Sequence, residues 1–202
     1  SAYPDVYIEG CQGGGTKLDL GMTVRTHGAW LSDHTAHPDV CRFMQTGAQR
    51  LWPAHFLNSA VRVHRNSGDA EATSRNLLSR MTGPMSFNGD IAQWSPSARA
   101  MARRHVDVFK SIRHLLRLPV SFPFPQPRGV DGWDAIRFGE ELLFVFRMEG
   151  PERQQVALPG GEWTLLIGPD EAHLQAGELV MPPYSAAVWR MQKVGAQQNQ
   201  GD

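Results

Sequence analysis

An excess of charge of either sign is missing from this chain: 20 basic residues face 20 acidic ones, and the formal net charge is zero. Without a basic surplus there is little to hold a phosphate backbone, so no nucleic-acid partner is expected. Cysteine is almost absent too. Cys11 and Cys41 are too few for a stapled secreted scaffold, and both read as reduced thiols of a cytoplasmic type of protein. No run approaches the roughly 18 uninterrupted apolar residues of a membrane span, so no membrane partner is expected either. An initiator methionine and a basic-then-apolar leader are also lacking. The chain enters the strand-like Val6-Tyr7-Ile8 almost at once, so a natural start, with any export signal, is expected upstream. There is no internal repeat, charge run or low-complexity segment.

What is present is a supply of aromatic rings, six Trp, three Tyr and nine Phe, in 202 residues. That length suits one large domain or two small ones, and a neutral chain points to a neutral partner. Flat aromatic faces suit the apolar faces of sugar rings, and they suit core packing equally well.

The first part of the chain alternates short strands with helices. Asp5 to Glu9 reads as a strand, followed by Gly13-Gly14-Gly15, where the backbone is free to turn and expose its N–H groups. Gly28 to Ser32 reads as a second strand, ending in Asp33-His34-Thr35, and His37-Pro38 opens a helix through about Arg50, with proline at its first position. Leu51 to Phe56 is expected as a third strand, followed by the polar stretch Arg65 to Glu71 and a helix ending near Gly83; Pro84 to Phe87 is expected as a fourth strand. Ser95-Pro96 starts the clearest helix, with Ala98, Met101, Ala102, Val108, Phe109 and Ile112 on one face. His105 sits beside that face as an expected boundary residue. Four such units predict a parallel sheet and half of a (β/α)8 barrel.

After Leu118 the texture changes. Pro119, Pro123, Pro125 and Pro127 interrupt the chain, and short strands follow at Trp133 to Phe138, Leu142 to Met148, Gln155 to Leu158, Trp163 to Ile167, Glu178 to Met181 and Ala186 to Met191. That pattern predicts an antiparallel β-sandwich. The expected organisation is therefore α/β followed by all-β: residues 1–118 as half of a TIM-type barrel, 119–194 as the sandwich, and 195–202 as a flexible tail.

In parallel βα folds, reactive groups sit at the carboxyl ends of strands, so the loops after Glu9 and Ser32 should share one rim. Cys11, Asp19, Trp30 and Asp33 are then candidates for one pocket. Read alone, an Asp after a strand is more often a helix cap or a loop hydrogen-bonder. The triglycine is no phosphate loop, because no Gly-Lys-Ser/Thr follows it. His27, Asp33, His34 and His37 match no familiar zinc spacing, and Ser32-Asp33-His34 cannot align as a triad, since neighbours on a strand end point different ways.

Two segments carry a resemblance. Cys11-Gln12-Gly13-Gly14-Gly15-Thr16-Lys17-Leu18-Asp19-Leu20-Gly21-Met22 resembles the segment Cys-Ser-Ser-Gly-Gly-Gly-Arg-Phe-Asp-Pro-Gly-Met of the family 36 α-galactosidases, and Trp30-Leu31-Ser32-Asp33-His34-Thr35 resembles that family's Trp-Thr-Ser-Asp-Asn-Thr. The cysteine precedes the aspartate by 22 positions (33 − 11), as in the family pattern. The resemblance implies that the four strands are barrel strands five to eight and that Asp33 is the general acid/base of a retaining glycosidase. Cys11, Gly14 and Trp30 would contact the sugar, while Lys17 and Asp19 would support their loop. It implies an α-galactoside oligosaccharide as substrate and neither metal nor cofactor. The family's nucleophile, in a Lys-Trp-Asp motif on strand four, would lie upstream; no Lys-Trp-Asp occurs here. This chain alone is then expected to be inactive, with the missing amino-terminal half of its barrel, or further copies of itself, as partner. Lys17 in place of Arg and His34 in place of Asn leave the sugar specificity open. A non-catalytic carbohydrate-binding or structural protein of hydrolase descent is the alternative.

Overall fold

The structure, a computed structural model, describes residues 3–34, 37–62, 73–125 and 131–192. The expected polar stretch Arg65 to Glu71 and the tail 195–202 lie outside the described residues. The first part contains β1 (Glu9–Gly10), α1 (Leu20–Thr23), β2 (Gly28–Trp30), α2 (Pro38–Ala48), β3 (Leu57–Arg62), α3 (Ser74–Leu78), β4 (Met85–Asn88) and α4 (Pro96–Ile112). Its strands form one parallel sheet in the order β1-β2-β3-β4. The third strand is displaced from its expected place at Leu51 to Phe56. Pro53 precedes a 3-10 turn at Ala54–Phe56, and pairing begins only at Leu57, where the alternation Leu57, Ser59, Val61 gives the strand a buried side.

Residues paired across a parallel ladder share a face, which sorts this sheet into two sides. Ala29, Leu57, Ser59, Val61 and Phe87 occupy one side. There Val61 packs with Leu77, Trp94, Ala98 and Ala102 of the helical layer. Glu9, Trp30, Asn58, Arg62, Ser86 and Asn88 fall on the other side and are half-buried to exposed, while the small Gly28 and Ala60 on that side are buried. The outer edges of β1 and β4 have no partner strand among the described residues. In the segment that leads into β1, Tyr3, Val6, Tyr7 and Ile8 are exposed.

The second part contains β5 (Val120–Ser121), β6 (Trp133–Phe138), β7 (Leu142–Arg147), β8 (Arg153–Gln155), β9 (Glu162–Ile167), β10 (His173–Gln175), β11 (Glu178–Val180) and β12 (Ser185–Gln192). They form two antiparallel sheets, β5-β6-β7-β12-β9 and β10-β11-β8. The five-stranded sheet is covered on both sides. Ile136, Phe138, Leu142, Phe144 and Val188 pack on Leu78, Met81, Ile112, Leu115 and Leu116 of the helical layer. Ala135, Leu143, Val145 and Trp189 pack on Val156, Leu179 and Met181 toward the small sheet. Burial on both faces explains the unbroken apolar run Leu142 to Phe146, where a one-sided strand would alternate. The third expected strand, Gln155 to Leu158, forms instead at Arg153–Gln155, and β5 and β10 are too short to show a period. Among the described residues no helix is long and apolar enough to cross a membrane.

Helix α4 begins where Ser95 accepts a hydrogen bond from the Ala98 N–H, with Pro96 at the first position. His105 of this helix is buried at 2% exposure rather than at a boundary. Its Nδ1 lies 2.8 Å from the Met101 carbonyl and its Nε2 2.8 Å from the Ser74 hydroxyl. Burial lowers its pKa from the ordinary value of 6.5. The unfolded chain therefore takes up a proton near pH 6.5 that the folded chain resists, so the stabilisation exists above that pH and is lost as pH falls through the folded pKa. Acidifying from neutrality should lower the denaturation midpoint. The slope should be shallower in His105→Gln, and equal slopes for the two proteins would refute this.

Candidate active site

The loop from Cys11 to Leu18 folds back over the end of β2 because three successive glycines take positive φ: Gly13 at 56°, Gly14 at 63° and Gly15 at 90°. Two of them also permit close approach. A Cβ on Gly15 would lie 2.0 Å from the Leu31 carbonyl oxygen, and one on Gly14 would lie 2.9 Å from Asp33 Oδ2 and 3.1 Å from its backbone nitrogen. No side chain fits at either place, so the triglycine turn is seated directly against the segment carrying Asp33. The Thr16 hydroxyl donates to the Gln12 carbonyl at 2.9 Å, and the Leu18 N–H to the Gly15 carbonyl at 3.2 Å.

Asp33 is exposed and is held from the other side as well. The Trp30 indole N–H donates to Asp33 Oδ1 at 3.0 Å. Trp30 shares its sheet face with Asn58, whose amide donates to the Glu9 carboxylate across β2. One rim thus gathers Glu9, Gly14, Trp30, Asp33 and Asn58. The buried Ser32 hydroxyl accepts the His34 N–H at 3.1 Å, an arrangement that fixes the turn.

The other sequence candidates fall around this cluster. Asp19 caps α1, accepting the Met22 N–H at 3.0 Å, so it fixes the end of the loop. Cys11 is exposed on the loop as a free thiol, and the exposed Lys17 makes no ion pair among the described residues. His27 is used locally, its Nδ1 accepting the Ile8 N–H at 2.9 Å. Among the described residues no three His, Cys, Asp or Glu side chains are grouped to hold a metal ion.

Beneath the rim, Cys41 of α2 donates its thiol to the His34 carbonyl and accepts from the Arg80 guanidinium at 2.9 Å. Burial pushes the Cys41 thiol up, against the lowering effect of Arg80. Burial likewise lowers Arg80, whose guanidinium also reaches the Ala60 and Asn76 carbonyls. Glu9, Asn58 and this Cys41–Arg80 pair escape a sequence reading. The signal for Glu9 was an acidic residue closing a strand two positions before Cys11; for the others the signal is tertiary.

A family model for melibiases matches residues 1–118. The chain belongs to the melibiase family. α-Galactosidase 1 of Pediococcus pentosaceus is 28% identical over 130 residues, covering 63% of this chain and 18% of that protein. An α-galactosidase of Lactobacillus acidophilus is 29% identical over 115 residues, 56% of this chain and 16% of that protein. Among solved structures, the GH36 α-galactosidase AgaA of Geobacillus stearothermophilus in complex with raffinose superposes with a TM-score of 0.76 at 19% identity, covering 95% of this chain and 29% of that one. AgaA in complex with stachyose gives the same TM-score of 0.76. The chain spans less than a third of the length of these relatives, which are named for a glycoside hydrolase activity.

Proposed function

We propose that this chain is the carboxyl-terminal part of a retaining glycoside hydrolase that removes terminal α-galactosyl groups from oligosaccharides. Strands β1 to β4 correspond to barrel strands five to eight, residues 1–118 to the second half of the barrel and residues 119–194 to the sandwich that follows it. The observation that carries the reading is the clamp on Asp33: Gly14 abuts its carboxylate on one side and the Trp30 indole N–H binds Oδ1 on the other. A carboxyl so fixed, yet exposed at a strand-end rim, can act as a positioned acid.

In double displacement one carboxylate attacks the anomeric carbon while a second carboxyl, about 5 Å away, protonates the departing oxygen and then takes a proton from the incoming water. Asp33 takes the second role. Cys11, Gly14 and Trp30 border the sugar, and Lys17 and Asp19 belong to the loop that carries the first two. The attacking carboxylate comes from the strand-four position of the complete barrel, and no cofactor takes part. An uninterrupted genomic reading frame continuing upstream into a strand that ends in Lys-Trp-Asp supports this reading; a start codon directly before Ser1 would leave a non-catalytic sugar-binding protein instead.

Among the described residues the parallel sheet is open at both edges. Unpaired parallel strands seek partners, and the segment leading into β1 adds the exposed Tyr3, Val6, Tyr7 and Ile8. The 202-residue chain expressed alone should therefore self-associate, giving sedimentation profiles that shift with concentration. A monodisperse monomer across the micromolar range would contradict the half-barrel.

A further inference from the structure

A cleft of about 440 Å³ lies between the first turn of α3 and the turn leading into β12, lined by Ser74, Arg75, Gly168, Tyr184 and Ser185. Its size is that of a small-molecule site. Tyr184 is its unusual member. It stands at φ 53° and is 53% exposed, so an aromatic residue occupies a left-handed conformation without burying its ring in exchange. Strain of this kind collects where a side chain is held for use. The Tyr184 hydroxyl donates to the Glu149 carboxylate, and the Arg75 guanidinium lies 5.6 Å from the ring centroid. Together they fix the plane of an exposed aromatic face.

The polar groups beside that face are also set in advance. A carbonyl oxygen only accepts, so His105 Nδ1 carries the proton directed at Met101, and Nε2 accepts the proton of the Ser74 hydroxyl at 2.8 Å. The lone pairs of Ser74 are left to accept from a ligand. On the next residue, Arg75 lines the cleft with its side chain 27% exposed, and the nearest carboxylate oxygen, of Asp39, lies 3.6 Å from its Nε. Asp39 and Glu149 offset the cationic charge of Arg75, which favours a neutral ligand over an anion. Asp39 is in the first turn of α2 and Arg75 in the first turn of α3. The cleft lies where the first turn of α3 meets the turn after β9, at Gly168, and the start of β12, at Ser185.

From this geometry we infer an accessory binding site for a neutral sugar ring, with Tyr184 as its stacking face, Ser74 as hydroxyl acceptor and Arg75 as donor. The choice of a sugar rests on the glycosidase reading; the site itself is separate from the Asp33 rim. Raffinose is a suitable probe, titrated into the 202-residue chain by calorimetry or ligand-observed NMR. Tyr184→Asn keeps a residue that tolerates positive φ but removes the ring, and should weaken binding by about tenfold or more. Its melting temperature should stay unchanged or rise by a few degrees as strain is relieved. Ser74→Ala should weaken binding as well, and Trp30→Ala should leave the Tyr184-dependent component intact. Undiminished binding in Tyr184→Asn, loss of all binding in Trp30→Ala, or no binding by the parent chain would each overturn the site. A marked fall in melting temperature for Tyr184→Asn would instead assign the strained tyrosine to stability. None of these outcomes depends on catalysis, so failure here is distinguishable from failure of the acid/base assignment.

Discussion

On the proposed acid/base role, Asp33→Ala, made in a reading frame extended upstream to a whole barrel, should slow hydrolysis of an α-galactoside with a poor leaving group by roughly 10²–10⁴-fold, the usual worth of a positioned proton donor. A substrate with an activated aryl leaving group needs no proton to depart, so its bond cleavage should be slowed far less. The second half of the reaction then lacks its base, and the galactosyl-enzyme should accumulate as an initial burst. A small anion such as azide, which attacks without deprotonation, should restore turnover on the activated substrate. Equal losses on both substrates, without rescue, would remove Asp33 from the acid role. The clamp makes a companion expectation. Trp30→Phe keeps the ring and deletes the donor to Oδ1, so it should lower kcat more than it raises KM.

The largest stability effect is expected at Asp134 of β6. Its Oδ2 accepts from Arg42 Nη1 at 2.7 Å and from the Thr46 hydroxyl at 2.8 Å, and the side chains of the ion pair are 1% and 2% exposed. This pair joins α2, the helix after the Asp33 loop, to the five-stranded sheet. Asp134→Ala leaves a guanidinium buried without its counter-charge, which costs about 3–5 kcal/mol. The double variant Arg42→Met/Asp134→Leu removes both charges and should recover most of that loss. Urea unfolding of the three proteins checks this; a single variant within about 1 kcal/mol of the parent would show that the pair is solvated.

Much of the fold is legible from local signals, and the failures have local reasons. Helix α4 announces itself through Ser95-Pro96 and the spacing of Ala98, Ala102 and Ile112. The Leu142 to Phe146 run marks a central strand, although only the structure shows which residue faces the helices and which the small sheet. Leu51 to Phe56 misleads because its apolar and aromatic residues precede and form a 3-10 turn, while the weaker-looking Asn58-Ser59-Ala60 pairs instead. The candidate site divides the same way. Gly14 and Asp33 are visible as residues of strand-end loops, but the Trp30 bond to Asp33 depends on a rotamer, and Cys41–Arg80 on a contact across 39 positions. His105 reads as a boundary residue because its two partners, Ser74 and the Met101 carbonyl, give no periodic signal.

The ion pair between α2 and β6 also orders events during synthesis. Asp134 follows Arg42 by 92 residues, so at ordinary elongation rates of about 5–20 residues per second the guanidinium waits roughly 5–18 s for its counter-charge. During that interval Leu78, Met81 and Ile112 likewise lack the sheet that will cover them. Helix α2, which follows the Asp33 loop, leaves the ribosome ahead of its anchor and acquires it only when the five-stranded sheet emerges.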